Sequence, residues 1–290
     1  MTNQPSPPHI FDRALLRRRL RRAIARGAPD FLVARAADDL LDRLLTVKRE
    51  FPRSLDLGAP AEHFAQAIVA SGRAAPLRAS RDGGDVIADE EALPFAPASF
   101  DLVVCGMALQ WVNDLPGVLA QVRRILAPDG LFLACLPGGA SLVELRVALA
   151  QAEEEITGGA SPRVSPFVDV RDMGGLLQRA GFALPVSDVD SFTLRYDSAL
   201  GLMADLRAMG AANVLAKRAS KPLRRDVLAR AAQIYAERFS DPDGRVRASF
   251  EIVWISGWAP HESQQKPAKP GSATMRLEEA MKAGRHSSET

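Results

Sequence analysis

A chain of 290 residues that is 47% hydrophobic, with a formal net charge of +2, can bury a sizeable core as one elaborated domain or two small ones. The near-neutral balance excludes the strongly basic face on which nucleic-acid binding usually depends. Cys105 and Cys135, the two cysteines, lie in apolar strand-like runs, which excludes a disulfide framework and a thiolate metal site, and no apolar run approaches the ~18 residues of a membrane-spanning helix.

In chain order, residues 1–9 are proline-rich, lack the apolar stretch of a secretory signal and are expected to be disordered. Residues 10–50 read as a helical extension. In its first helix Arg13, Arg17, Arg18, Arg19, Arg21, Arg22 and Arg26 interleave with Leu15, Leu16, Leu20, Ala23 and Ile24. That face is either a cationic surface for a partner or acidic substrate, or a plain solvated face. The second helix, 31–47, carries Leu40, Leu41, Leu44 and Leu45 as a core stripe.

Residues 51–260 read as an α/β domain. Residues 53–58 (RSLDLG) follow Pro52 as the first sheet strand, then a glycine turn and a helix over 61–70. Strands are predicted at 74–79 and 86–88. The most informative stretch is 86–139. Phe100, Asp101 and the run Leu102 to Cys105 predict a strand buried on both faces. A helix follows with Asp114 as N-cap, Pro116 in its first turn, and Leu115, Leu119, Val122 and Leu126 on one face. Ala127-Pro128-Asp129-Gly130 ends it and leads into a strand over 131–136, completing a right-handed βαβ unit. Helices at 142–156 and 171–179, a strand at 182–196, a helical insertion over 198–240 and a last strand at 249–258 follow. Residues 261–290 read as a loose tail, with one short helix at 275–283.

The segments ADEEALPF and SFDLVVCGMALQWVNDL, with a helix ending in LAPDG, resemble the post-cofactor half of class I S-adenosylmethionine (SAM) methyltransferases. With IFDR near the start, LDLG at 55–58, SPFVDVRDMGGLLQRAGF and HESQQKPAKPGSAT, the chain is similar to the mitochondrial complex I assembly factor 5 family over 10–274, and more distantly to the malonyl carrier-protein O-methyltransferases. The resemblance implies a doubly wound, Rossmann-like α/β sheet whose last strand is antiparallel. It implies SAM as cofactor, and a protein or carrier-bound substrate, including a respiratory complex I subunit; arginine hydroxylation is a further activity of that family. A noncatalytic assembly or scaffold protein that has lost the cofactor is the alternative. The location it implies is the cytoplasm of a bacterium or the mitochondrial matrix of a eukaryote. IFDR already matches the family's mature region, so no transit peptide is expected.

By the same resemblance the cofactor contacts fall on Asp56, Leu57 and Gly58 after the first strand, Asp89 and Glu90 on the adenine side, and Cys105 and Gly106 after the fourth strand. Two departures weaken it. Ala59-Pro60-Ala61-Glu62 stands where the family has a glycine-rich loop, and Pro60 lacks an N–H. Ser80-Arg81 stands where an acidic residue holds the ribose, with Asp82 or Asp85 as substitutes. SAM binding is therefore expected to be weak or lost.

Gln110 and Trp111 are the substrate-side candidates, with packing as the competing role for each. Glu144 and Arg146 either touch substrate or form an exposed helical ion pair. Met203, Leu206, Met209 and Leu215 either line a lid or simply pack a helical cap. His9, His63, His261 and His286 show no metal-ligand spacing.

Overall fold

The computed structural model describes residues 9–219 and 221–265. The expectations for residues 1–8 and for a helix at 275–283 lie outside the described residues. The chain begins with helices α1 (Arg13–Ile24) and α2 (Phe31–Thr46), then β1 (Ser54–Leu57), α3 (His63–Ala70), β2 (Leu77–Ser80), β3 (Val86–Ile87) and β4 (Phe100–Gly106). It continues through α4 (Leu115–Ile125), β5 (Leu126–Pro137), α5 (Val143–Thr157), α6 (Val170–Arg179), β6 (Ala183–Tyr196), α7 (Ala199–Ala208), α8 (Arg225–Phe239) and β7 (Val246–Trp258).

The strands form one seven-stranded sheet in the order β3-β2-β1-β4-β5-β7-β6. Neighbours from β3 to β5 are parallel, and β7 runs antiparallel to both β5 and β6. This is the doubly wound sheet with an antiparallel last strand that the sequence predicts. The order reverses direction at β1 and β4, so loops at the carboxyl ends of these two strands flank a crevice, where open α/β sheets bind ligands.

Each boundary difference from the sequence reading has a local cause. β2 starts at Leu77 because Pro76 has no N–H to give the ladder. α3 starts at His63, with Glu62 at its N-cap offering no side-chain bond. α4 stops at Ile125, because Leu126 already pairs with Phe100 of β4 across a register shift. β7 begins three residues earlier than predicted because β6 is long enough to pair Tyr196 with Val246.

Both faces of the central strands are covered. Val103, Cys105, Phe132 and Ala134 pack under α4 and α6 with Val118, Val122, Met173 and Leu177. Leu102, Val104, Leu133 and Cys135 pack under α2 and α3 with Leu40, Leu44, Phe64 and Ile68. A third cluster joins α5 to the 198–240 insertion through Leu145, Leu149, Leu202, Ile234 and Tyr235. A fourth docks the N-terminal segment on the insertion through Phe11, Leu16, Val214 and Leu215.

Gly106 closes β4 where Phe64 crosses it: a Cβ there would stand 2.3 Å from the ring. Gly106→Ala is therefore expected to destabilise the fold by about 1–3 kcal/mol through overpacking. Urea unfolding measures this, and an unchanged midpoint would mean that Phe64 moves aside without cost.

Candidate functional site

Three separate sequence motifs meet at the carboxyl end of the sheet. Arg13, the last residue of IFDR, is buried, and its guanidinium pairs with Asp89 (2.8 Å), Glu90 and Glu91 of the acidic run. Asn113 of the WVND segment accepts hydrogen bonds from the backbone N–H groups of Ile10 and Phe11, each 2.8 Å. Glu91 in turn accepts the N–H of Asn113, and Asp114 caps α4 by accepting the N–H of Gly117 at 2.9 Å. Asp12 caps α1 by accepting the N–H of Leu15.

A cleft of about 250 Å³ lies between these motifs and the turn after β1. Gly58 heads that turn with φ +73°, its N–H bound to the Ala79 carbonyl at 2.7 Å; a Cβ would stand 2.9 Å from Glu90 Oε1. Gly58 is thus held by packing as well as by the turn. Asp56, one turn deeper, is 2% exposed. Its Oδ2 stands 3.5 Å from Arg78 Nε, and its Oδ1 is buried with no hydrogen-bond partner. Burial pushes the Asp56 carboxyl up to about 7, against the partial counterweight of Arg78.

The cleft is lined by Arg13, Arg17, Arg78 and Arg81, and by only two carboxylates, Asp82 and Glu90. Arg81, at the end of β2, pairs with Asp89 and stands 3.7 Å from Glu90. Burial pushes Glu90 above its ordinary range despite Arg13. Burial acts on Asp89 in the same direction, but its hydrogen bonds from Arg81 and the Glu91 N–H, with Arg13 nearby, bring it below that range. Neither substitute for the missing ribose carboxylate is free. Asp82 receives Arg17 (2.7 Å) and Arg21 (2.6 Å), and Asp85 accepts the Arg78 N–H at 2.8 Å. The arginine face of α1 is thus divided: Arg13, Arg17 and Arg21 bind carboxylates of the chain itself, whereas Arg18, Arg22 and Arg26 are exposed.

A second cavity, about 930 Å³, adjoins the first across Pro60, Arg78, Met107 and Trp111. Its walls come from α1, α2, α5 and the insertion, and include Met203, Leu206 and Met209. Leu215, the fourth residue proposed for a lid, belongs instead to the cluster with Phe11 and Leu16. Gln110 lines this cavity; its Nε2 donates to the Met107 carbonyl at 2.7 Å, and its Oε1 is buried without a partner. Trp111 meets Phe11 edge-to-face at 5.9 Å, so it packs the N-terminal segment and lines both cavities.

Other expected site residues are placed elsewhere. The Leu57 and Cys105 side chains are fully buried in the core under α4, with the Cys105 thiol pushed well up by burial, so neither side chain faces the cleft. Gly106 faces Phe64. Glu144 and Arg146 form no ion pair with each other. Glu144 is buried and accepts the Ser249 N–H at 3.1 Å, while Arg146 lies 5.9 Å from the Phe167 ring. Sequence reasoning missed Arg13, Arg78 and Met107. Only IFDR flagged the first, and Met107, at φ 53°, carries no residue-type signal at all. Among the described residues no three His, Cys, Asp or Glu side chains group as a metal site requires.

Residues 30–185, more than half the chain, match the methyltransferase domain family. The chain belongs to this methyltransferase family. Two of its curated relatives are the mitochondrial arginine-hydroxylase NDUFAF5 of Danio rerio and that of Homo sapiens. The first is 38% identical, covering 96% of this chain and 91% of the relative. The second is 39% identical, covering 94% and 84%. Malonyl-[acyl-carrier protein] O-methyltransferase of Methylovorus sp. (strain MP688) is 34% identical, covering 87% and 90%. The crystal structure of a methyltransferase-like protein from Bacillus halodurans C-125 superposes with a TM-score of 0.51 at 16% identity, covering 77% of this chain and 98% of that one. At that identity the likeness speaks for the methyltransferase fold alone.

Two measurements test the site's electrostatics. Arg13→Ala strips three carboxylates of one buried cation and is expected to cost about 3 kcal/mol in urea unfolding, whereas exposed Arg18→Ala stays within about 0.5 kcal/mol. Equal effects would remove Arg13 from its tethering role. Asp56 holds its proton more tightly folded (about 7) than its ordinary 3.8, so its contribution is most favourable below about pH 4, falls as pH rises and levels above 7. The stability of Asp56→Asn relative to the parent should accordingly rise between pH 5 and pH 8 by on the order of 1–3 kcal/mol. A pH-independent difference would show Asp56 ionised throughout.

Proposed function

We propose that the chain is a SAM-dependent methyltransferase of weakened cofactor affinity that acts on a protein or carrier-bound substrate. The observation that carries the reading is the left-handed Gly58 turn at the end of β1, which lines the cleft where the sheet order reverses, with the buried carboxylate of Asp56 two residues before it. That arrangement fits the amino-acid end of SAM: Gly58 allows close backbone approach, and the Asp56 carboxylate beneath it would favour the cofactor's positive charge. Bound SAM supplies an electrophilic methyl group. The chain's own residues bind, orient and exclude water, and such chemistry asks for little more than in-line placement of the nucleophile.

The ribose end fits less well. Arg81 occupies the position of the family's carboxylate, Pro60 removes a donor, and Glu62 is held by Arg78 at 2.9 Å. Four arginines against two carboxylates also oppose a ligand of net positive charge. These same observations favour the second reading, a scaffold that has kept the fold and lost the cofactor. The likeness to the complex I assembly factors supports a respiratory-complex subunit as the protein partner, with exposed Arg18, Arg22 and Arg26 available to it. Cytoplasmic or matrix location and arginine hydroxylation rest on the same likeness.

Calorimetry with SAM decides between the readings. Restoring the loop by Ala59→Cys, Pro60→Gly and Glu62→Gly is expected to tighten binding at least tenfold, since a lost hydrogen bond to a charged group is worth about 1.5–3 kcal/mol. A parent that already binds in the low micromolar range, unimproved by the restoration, would refute the weakened site. No binding by either form would leave the scaffold.

A further inference from the structure

The wall that α1 gives to the 930 Å³ cavity is apolar at every position but one. Leu20, Ala23 and Ile24 form a stripe along it, and Ile24 is 55% exposed, so the stripe runs out to solvent. Leu145, Leu149, Phe167, Phe192, Met203 and Leu206 supply further apolar wall. A cavity of this size lies at the upper end of the roughly 300–1,000 Å³ range of small-molecule sites.

The exception on α1 is Arg19. Its Nη1 donates to the Asn213 carbonyl at 2.6 Å. Nε and Nη2 take no partner among the described residues, and unlike the buried Nε atoms of Arg13, Arg78 and Arg81 they reach accessible surface. The free edge of this guanidinium is therefore the one that presents two parallel N–H groups, the geometry that matches a carboxylate.

Charge around Arg19 points the same way. Arg218 and Arg18 act on it as like charges, and the one acid that offsets them, Asp12, is already paired with Arg218 at 3.2 Å. Burial, and after it Arg218, draw the Arg19 guanidinium below its ordinary range, as expected of a cation short of counter-charge. Arg207, in the last turn of α7, also lines the cavity, is exposed and makes no carboxylate pair among the described residues. The acids of the lining are held elsewhere. Glu62 pairs with Arg78 at 2.9 Å, Asp30 stands 3.0 Å from His63, and Glu251 accepts the Ala140 N–H at 3.0 Å in the turn after β5.

We propose that this cavity binds an aliphatic chain ending in a carboxylate, the carboxylate taken by the Nε and Nη2 edge of Arg19 and the chain lying along Leu20, Ala23 and Ile24. The site stands on the cavity alone and does not rest on the SAM reading.

Calorimetric titration without SAM, below the concentrations at which the probes form micelles, compares decanoate, decanol and decylamine, which share one tail. The intact chain is expected to bind decanoate roughly tenfold more tightly than either of the others, because a carboxylate on a guanidinium fork is a strong pairing. Arg19→Gln, checked for an unchanged melting temperature, should bring decanoate to within about twofold of decanol and leave decanol itself within about twofold of its parent affinity. Arg19→Lys, which keeps the charge without the fork, should hold decanoate at an intermediate affinity, and it decides the matter where Arg19→Gln fails to fold. Arg22→Gln, exposed on the same helix but outside the lining, should change nothing. Met203→Trp, which fills the cavity, should remove saturable binding of all three probes. The proposal is overturned by absence of saturable decanoate binding to the intact chain, by decanol or decylamine binding as tightly as decanoate, or by a carboxylate preference that survives Arg19→Gln or is undiminished in Arg19→Lys. Decanoate binding without SAM binding leaves this site standing while the methyltransferase reading falls, and SAM binding without decanoate binding removes this site alone.

Discussion

The carboxyl end of this sheet depends on one buried cation. Arg13 lies outside the sheet in sequence, yet its guanidinium gathers Asp89, Glu90 and Glu91, which otherwise form a run of like charges at the edge of a hydrophobic core. Three carboxylates so close cannot all ionise in a low dielectric without a counter-charge, and burial already pushes Glu90 upward. The same contact fixes α1 over the crevice. Asn113 then secures the two residues before α1, and Phe11 and Leu16 complete the seal against Val214 and Leu215 of the insertion. Docking of the N-terminal helix, shape of the crevice and charge state of the acidic run are thus one coupled arrangement.

That arrangement sets the balance at the cofactor cleft. Asp56 stands in β1 beside Arg78, Arg81 follows β2, and Asp89 after β3 is already engaged by Arg13 and Arg81. Each substitution is locally sound. Arg81 neutralises Asp89, Arg78 stands beside Asp56 and Glu62, and Arg17 with Arg21 satisfies Asp82. Together they pair the carboxylates around the cleft with the chain's own arginines, each held in place by several partners.

The central βαβ unit was legible because buried parallel strands read as continuous apolar runs and the 86–139 stretch carries every punctuation mark of such a unit, whereas the doubly wound sheet with an antiparallel last strand came from the family resemblance. Boundaries were less so: Pro76 shortens β2, and Leu126 joins a strand its own helix period claims. At the crevice, Gly58 and Glu90 were singled out because they sit in motifs, and both line the cleft. Leu57 and Cys105 were misplaced because alternation along a strand sends neighbouring side chains to opposite faces, and the strand is buried on both. The pairings of Arg13 and Arg78 were not foreseeable, since their partners lie 76 and 22 positions away, and only the fold brings those distances to a few ångströms.

The two adjoining cavities differ in what they leave unsatisfied. In the cleft over β1 to β3 the arginines pair with carboxylates of the chain, and the buried atoms left without a hydrogen-bond partner in its lining are donors, Nε of Arg13, Arg78 and Arg81. In the larger cavity the lining residues with a buried, unpartnered polar atom are His63, Arg78 and Gln110, set in a largely apolar wall. Met107 separates the two: its left-handed backbone turns β4 away from its strand direction, so that its own side chain borders both cavities and its carbonyl orients Gln110. A strained residue at a strand end persists when the surrounding structure over-determines it. Here the Met107 N–H is bound to the Cys135 carbonyl of β5 at 2.9 Å, and its carbonyl to Gln110, so both ends of the strained residue are held by neighbouring elements. Met107 therefore forms part of the wall that the two cavities share with Pro60, Arg78 and Trp111, and its fixed backbone keeps that wall in one shape.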